Sequence, residues 1–104
     1  ATHAFLQKLG PDILSRALTA KQAERQLSNE RFQGRRLADL LLDQAFFAGI
    51  GNYLRSEILF EARLLPTRKL KTLQSAERST LANAILTIGR RAYQLAGITN
   101  DPAR

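Results

Sequence analysis

The 104-residue sequence contains no cysteine, no methionine and no tryptophan, and it has a single histidine. Without cysteine the chain cannot form a disulfide, a thiolate zinc site or a thiol nucleophile, and one histidine is too few for a histidine metal cage. No apolar run exceeds four residues, which excludes a transmembrane helix. No signal-peptide pattern is present. We therefore expect one domain in a reducing, cytosolic context, without membrane contact.

Positive charge prevails, with 16 Lys+Arg against 9 Asp+Glu and a formal net charge of +7. Most of the cations are arginines, whose planar donor fork suits phosphate oxygens. A small basic domain most simply meets a polyanion, and nucleic acid is the commonest one. The alternative is charge that serves solubility alone. A hydrophobic content of 44% supports a folded core and excludes a disordered basic tail.

Hydrophobic periodicity predicts helices along nearly the whole chain and no strand of useful length. We expect an all-α bundle of about five helices, over residues 4–9, 19–27, 35–46, 52–65 and about 74–97. Capping-box spacing opens the second helix at Thr19 and the last at Gln74, and Gly97 is placed to end the last. The expected core comprises Leu37, Leu41, Phe47, Leu54, Ile58, Leu59, Leu81, Ile85 and Ile88.

The turn Gly49-x-Gly51-Asn52 between the two central helices is the most informative local feature. Glycines allow positive φ and close approach to the backbone. Free N–H groups at a helix start, with the positive end of the helix dipole behind them, form an anion site. The Asn52 amide can donate to a phosphate oxygen. The alternative is a tight turn in which Asn52 only caps the helix.

Four basic side chains are expected to surround this turn and to contact the DNA backbone. They are Arg35 and Arg36 at the start of the third helix, Arg55 one turn into the fourth, and Lys8 at the end of the first. A positive arc of this kind binds duplex backbone without reading bases. The alternative for each is a solvated surface side chain.

The acidic residues are expected to be structural. Asp43 and Glu57 flank the turn on opposite sides and are expected to brace it. Each has an acidic neighbour four residues away, Asp39 or Glu61, and such helical pairs usually face arginines rather than a metal or a substrate. His3 has the character of a surface histidine. We expect no catalytic residue and no metal site in the chain.

Residues 41–59, LLDQAFFAGIGNYLRSEIL, resemble the helix-two-turn-helix segment of the formamidopyrimidine-DNA glycosylase/endonuclease VIII family. Residues 3–12, HAFLQKLGPD, resemble the lead-in to the same domain. The similarity covers almost the whole chain and is greatest to the bacterial endonuclease VIII branch. It implies a helix-two-turn-helix domain over residues 1–98 and the start of a linker over 99–104 toward an absent zinc finger. It also implies a bacterial cytoplasmic protein associated with the nucleoid.

The resemblance assigns roles to individual positions. Asn52 matches the family asparagine that binds the DNA backbone beside the lesion, and Gly51 matches the turn glycine that admits the phosphate. Lys8 falls where the endonuclease VIII branch has a DNA-contacting arginine, and lysine lacks the bidentate fork. Glu57 matches a family acid with a bracing role. Ala38 stands where the formamidopyrimidine branch tends to carry lysine, which favours the endonuclease VIII branch and its oxidised pyrimidines.

The family chemistry is base excision with strand cleavage. An amino-terminal proline attacks the sugar and forms a Schiff base, the next residue, a glutamate, is the acid/base, and the damaged nucleotide is flipped out of the duplex. The 104 residues include neither the Pro-Glu start nor the four-cysteine zinc finger, so the chain alone is expected to bind no zinc and to be inactive. Its expected partner is double-stranded DNA with an oxidised base or an abasic site, bound as a monomer.

Two other functions are open from the residues alone. One is a free-standing helical module that binds nucleic acid with no enzyme attached. The other is a helical protein–protein adaptor whose positive charge is incidental.

Overall fold

A computed structural model describes residues 9–97, with residues 96 and 97 as backbone only. This part of the chain contains no strand, which confirms the all-α class. The expected domain boundary at residues 98–99 lies outside the described residues, and so does the helix expected over residues 4–9, apart from a non-helical Leu9. The α-helices are α1 (Ala20–Leu27), α2 (Leu37–Leu40), α3 (Asn52–Ala62) and α4 (Ser75–Gly97), with 3₁₀ turns at Glu30–Phe32 and Leu70–Thr72.

Local capping sets the starts of α1 and α4. Thr19 Oγ1 accepts from the Gln22 N–H at 3.1 Å, and Gln22 Oε1 accepts from the Thr19 N–H at 3.0 Å, a complete capping box. At α4, Glu77 Oε1 accepts from the Gln74 N–H at 2.9 Å. Both predicted starts are confirmed. No helix among residues 9–97 is long and apolar enough to cross a membrane.

The helix expected over residues 35–46 is wrong in extent, because α2 ends at Leu40 and turns follow it. Two interactions divert the backbone. Asp43 Oδ1 accepts from the Ala45 N–H at 2.9 Å, a side-chain bond that competes with the helix. The Gln44 carbonyl accepts from the Gly10 N–H at 2.9 Å, so the chain here pairs with a distant segment instead of its own next turn.

Helix α3 ends three residues before the expected Leu65. Arg63 adopts a left-handed conformation with φ 59° and ψ 44°. The N–H of the following Leu64 then donates to the Leu59 carbonyl at 3.1 Å, a closing bond typical of helix C-termini.

The core lies where α4 packs against α1 and α3. Eight of the nine predicted core residues are buried, and Leu54 is partly buried against them. Prediction missed Phe32 and Phe46, which are fully buried and meet edge to face with ring centroids 4.9 Å apart. Each buried large side chain contributes about 1.5–3 kcal/mol, so this cluster dominates the stability of the domain.

Residues 10–13, ahead of α1, pack between the chain that leads into the central turn and α4. A Cβ at Gly10 would lie 2.2 Å from the Phe46 carbonyl oxygen, and one at Gly89 would lie 2.3 Å from the Ile13 carbonyl oxygen. Two glycines therefore permit close backbone approach on both sides of this segment. The segment in turn fixes the backbone that leads into the central turn.

Candidate nucleic-acid interface

The turn before α3 has one residue in the left-handed region, Gly49, at φ +96°. The side chain of Gln44 closes this turn. Its Oε1 accepts from the Gly49 N–H at 2.9 Å, and its Nε2 lies 3.3 Å from the Leu42 carbonyl oxygen and 3.4 Å from that of Ile50. Sequence analysis gave Gln44 no role within the helix expected over residues 35–46 and so missed this contact. The available signal was a polar side chain on an apolar face just ahead of two glycines.

A short parallel pairing holds the entry to the turn. The Ala48 N–H donates to the Pro11 carbonyl at 2.8 Å, and the Ile13 N–H donates to the Ala48 carbonyl at 3.0 Å. The turn is thus anchored on one side by the Gln44 amide and on the other by backbone bonds to the preceding segment.

The first residues of α3 form an open helix start. Gly51, not Asn52, is the N-cap, with extended φ −104° and ψ −171°, and no side chain among residues 9–97 caps this end. The capping role considered for Asn52 is therefore wrong, because Asn52 is the first helical residue. The first helical bond runs from the Arg55 N–H to the Gly51 carbonyl at 2.9 Å. The N–H groups ahead of it have no helical acceptor and lie at the positive end of the dipole.

Gly51 and Asn52 are both exposed at this start. A Cβ at Gly51 would meet nothing within 4 Å, and its φ is not positive, so the fold does not require glycine there. Asn52 takes part in none of the side-chain hydrogen bonds found among residues 9–97. Both features leave the helix start accessible to a ligand from solvent.

Arg35 and Asp43 form an ion pair beside the turn, with Nη1 and Oδ2 2.5 Å apart. The hydrogen bond from Arg35, followed by that from the Ala45 N–H, holds the pKa of the Asp43 carboxyl below its usual value. This pair stabilises the chain between α2 and the turn. Asp43 thus holds the chain ahead of the turn, and its expected role as a brace of the turn itself stays a prediction. Arg35 is engaged with the protein and not held open for a ligand.

The other predicted cations are placed differently from one another. Arg55 is half-buried, and its Nη1 donates to the Ala38 carbonyl at 3.1 Å. Arg36 is exposed, and its Nε lies 3.9 Å from Asp39 Oδ2. Lys8 lies outside the described residues. Among the predicted cations that the structure describes, Arg36 is therefore the most exposed. The guanidinium of Arg55, on α3, is held by the Ala38 carbonyl in α2.

Glu57 is half-buried on α3, and no hydrogen bond or ion pair joins it to another of the residues 9–97. The structure does not bring it to the turn as a bracing group. Across the same range no three His, Cys, Asp or Glu side chains gather where they could hold a metal ion. What the arrangement offers is donors for an anion at the start of α3.

Residues 9–102 match the sequence model of the formamidopyrimidine-DNA glycosylase H2TH domain. The chain belongs to this family. H2TH denotes helix-two-turn-helix, and the matched residues include the turn before α3 and the helices on either side of it. The family resemblance drawn from residues 41–59 is confirmed.

Relatives agree with this assignment. Endonuclease 8 of Salmonella arizonae is 46% identical over 100 residues, and that of Escherichia coli O17:K52:H18 is 48% identical over 100 residues. Each comparison covers 96% of this chain and 38% of the relative, so the H2TH chain spans well under half of these proteins. The fold is also that of the Lactococcus lactis Fpg in complex with abasic-site DNA, with a TM-score of 0.71 and 24% identity over 90% of this chain and 34% of that one.

Proposed function

We propose that this H2TH domain binds the backbone of duplex DNA within a bifunctional DNA glycosylase. That enzyme would excise oxidised bases, mainly pyrimidines, and cleave the strand at the resulting abasic site. The observation that carries the proposal is the uncapped start of α3, where exposed Gly51 and Asn52 leave N–H donors open. Such a start takes a phosphate without any cation being required.

Three further observations support DNA as the ligand. The net charge of +7 attracts a polyanion. The relatives named Endonuclease 8 are bacterial proteins, which fits DNA binding in the cytoplasm at the nucleoid. The fold matches that of a glycosylase solved with abasic-site DNA. The zinc of this enzyme would belong to a zinc finger outside these 104 residues.

The domain by itself would bind DNA weakly and without lesion preference. Backbone contacts supply affinity that carries no sequence information and that falls with salt. With three or four phosphate contacts, the slope of log affinity against log salt should be roughly −3 to −4. A slope near zero would favour the adaptor function instead.

The 104-residue chain would bind an abasic duplex without cleaving it, because none of its residues supplies the amino-terminal proline and adjacent glutamate that the resemblance assigns to the chemistry. Incubation with abasic duplex and borohydride should give no trapped adduct above the protein-free control. A trapped adduct would show that another amine, such as that of Ala1, acts as nucleophile.

Substitution of Asn52 tests the site directly. Since Asn52 is not the N-cap, Asn52→Ala should keep the melting temperature and weaken duplex binding by about 1–2 kcal/mol, the scale of a hydrogen bond to a charged group. Asn52→Asp suits the helix dipole but places a negative charge against the phosphate, so it should abolish binding and leave the fold intact. Equal binding by Asn52→Asp and the unchanged chain at low salt would refute the phosphate site.

A further inference from the structure

A two-stranded contact places two cations opposite each other. The segment after α3 runs antiparallel to the start of α2, with the Leu37 N–H donating to the Arg68 carbonyl at 2.8 Å and the Leu70 N–H donating to the Arg35 carbonyl at 3.0 Å. These two bonds bracket an isolated bridge between Arg36 and Lys69.

The bonding pattern makes Arg36 and Lys69 a non-hydrogen-bonded pair. In this arrangement the Cα atoms lie about 4.5 Å apart and the side chains leave the backbone on the same side. Both side chains are exposed. Two like charges in directly opposite positions destabilise a pairing, so folding alone does not favour this choice of residues.

The acids nearby are mostly engaged elsewhere. Glu77 binds Arg68 through two bonds of 3.0 and 3.2 Å, and these hold the pKa of the Glu77 carboxyl below its usual value. Asp43 is paired with Arg35. Within residues 9–97, the pair Arg36 and Lys69 has only the exposed Asp39, 3.9 Å from Arg36 and with 66% of its side chain in solvent. Such an exposed contact contributes little.

This pair is connected to the start of α3 by two hydrogen bonds. The Ala38 carbonyl accepts from Arg55 in the first turns of α3 at 3.1 Å, and the Ala38 N–H donates to the Pro66 carbonyl at 2.9 Å. The cation pair and the open helix start are therefore joined through Ala38 and Arg55.

We propose that Arg36 and Lys69 form a second phosphate-binding site. It binds another phosphodiester of the same DNA whose backbone the start of α3 binds. As a DNA site it rests on the proposed function. An anion placed between the two cations removes their repulsion and gains two charge-assisted contacts. Lys69 is the new member, and no sequence pattern singled it out.

The test measures duplex binding and melting temperature of the 104-residue chain for Lys69→Gln and Arg36→Gln. Each should weaken binding five- to ten-fold at low salt and make the log–log salt slope shallower by about 1. Each should keep or raise the melting temperature, because one of two positive charges that repel each other across the bridge is gone. The matched control is Lys21→Gln, which removes one exposed positive charge on α1 and should change affinity by less than about two-fold.

Two outcomes would overturn the second site. One is Lys69→Gln binding DNA as well as Lys21→Gln, and the other is a lower melting temperature for Lys69→Gln, which would make the lysine a structural residue. If Asn52→Asp abolishes binding while Lys69→Gln does not weaken it, the proposed function stands and the second site fails. If the chain does not bind duplex at all, the proposed function fails, and pyrophosphate then tests the pair. It should raise the melting temperature of the unchanged chain but not that of the variant that carries both Arg36→Gln and Lys69→Gln, and equal shifts in the two would overturn the second site.

Discussion

The side chain of Gln44 spans the turn ahead of Gly49, with Oε1 2.9 Å from the Gly49 amide nitrogen and Nε2 near the carbonyls on either side of the turn. Gly49 sits at φ +96°, outside both helix and sheet geometry, so its N–H depends on a side chain for a partner. One amide thus fixes the conformation that presents the start of α3.

We expect Gln44→Ala to lower the free energy of unfolding by about 1–2 kcal/mol, because the Gly49 N–H loses its acceptor. Hydrogen exchange of the Gly49 amide should speed up more than that of core amides. Gln94→Ala on α4 is the control, since Gln94 is exposed. Unchanged exchange at Gly49 would show that the turn holds without Gln44.

Close backbone approach at two glycines gives a second prediction. Gly10→Ala and Gly89→Ala would each force a Cβ to within about 2.3 Å of a carbonyl oxygen, at Phe46 and Ile13 respectively. Each substitution should lower the free energy of unfolding by about 3 kcal/mol or more. Overpacking typically costs about 1–3 kcal/mol where side chains can yield, whereas here the backbone must move. Urea unfolding measures the loss.

Gly34→Ala is the matched control, because a Cβ at Gly34 meets nothing within 4 Å. It should change the stability by about 0.5 kcal/mol or less. Similar losses for Gly34→Ala and Gly10→Ala would contradict the close approach.

The parts of the fold that were predictable are those specified locally. The capping pair of Thr19 and Gln22 and the start of α4 at Gln74 depend on residues within one turn, so the sequence pattern suffices. The helix expected over residues 35–46 failed in part because Gly10, more than thirty positions away, binds the Gln44 carbonyl. Periodicity cannot register a competing partner that is distant in sequence.

In the candidate site, too, the locally specified features were predictable and those set by distant partners were not. The open helix start at Gly51 and Asn52 was predictable because two glycines ahead of a helical period mark a turn, although only Gly49 adopts a positive φ. Which arginines are open to a ligand was not predictable, because Arg35 pairs with Asp43 and Arg55 binds the Ala38 carbonyl only after the chain folds. Counting cations cannot separate those engaged with the protein from those open to a ligand. The pairing of Arg36 with Lys69 is likewise tertiary.

A pH dependence follows from the lowered pKa of Asp43, caused first by the Arg35 hydrogen bond and then by the Ala45 N–H. Because its folded pKa lies below the unfolded value of about 3.9, the ion pair contributes stability above that value and loses it as the pH falls through the folded pKa. Asp43→Asn should therefore lower the unfolding free energy at pH 7 by about 1 kcal/mol or less, as this pair is partly exposed.

The same variant should differ little from the unchanged chain once the pH is well below the folded pKa of Asp43. Urea unfolding at pH 7 and in strong acid makes the comparison, with Glu61→Gln as the control for loss of one exposed negative charge. A constant difference between the two pH values would mean that Asp43 acts through geometry and not through charge.

The two glycines of the turn should respond in opposite ways to substitution. Gly49→Ala should destabilise the fold by about 1–2 kcal/mol, because an L-residue is strained in the left-handed region, and its Cβ would also lie 3.2 Å from Asp12 Oδ1. Gly51→Ser should instead raise stability by about 0.5–1 kcal/mol, since serine caps a helix well and restricts the unfolded chain.

If the start of α3 binds a phosphate, Gly51→Ser should nonetheless weaken duplex binding, because its side chain occupies the approach to the N–H groups and competes for one of them. A variant that is more stable and binds less well cannot owe its loss to unfolding. Melting temperature and DNA anisotropy on the same samples give both quantities. Unweakened binding by Gly51→Ser would mean that the DNA contacts lie away from this helix start, and the cation pair of Arg36 and Lys69 would then be the place to look for them.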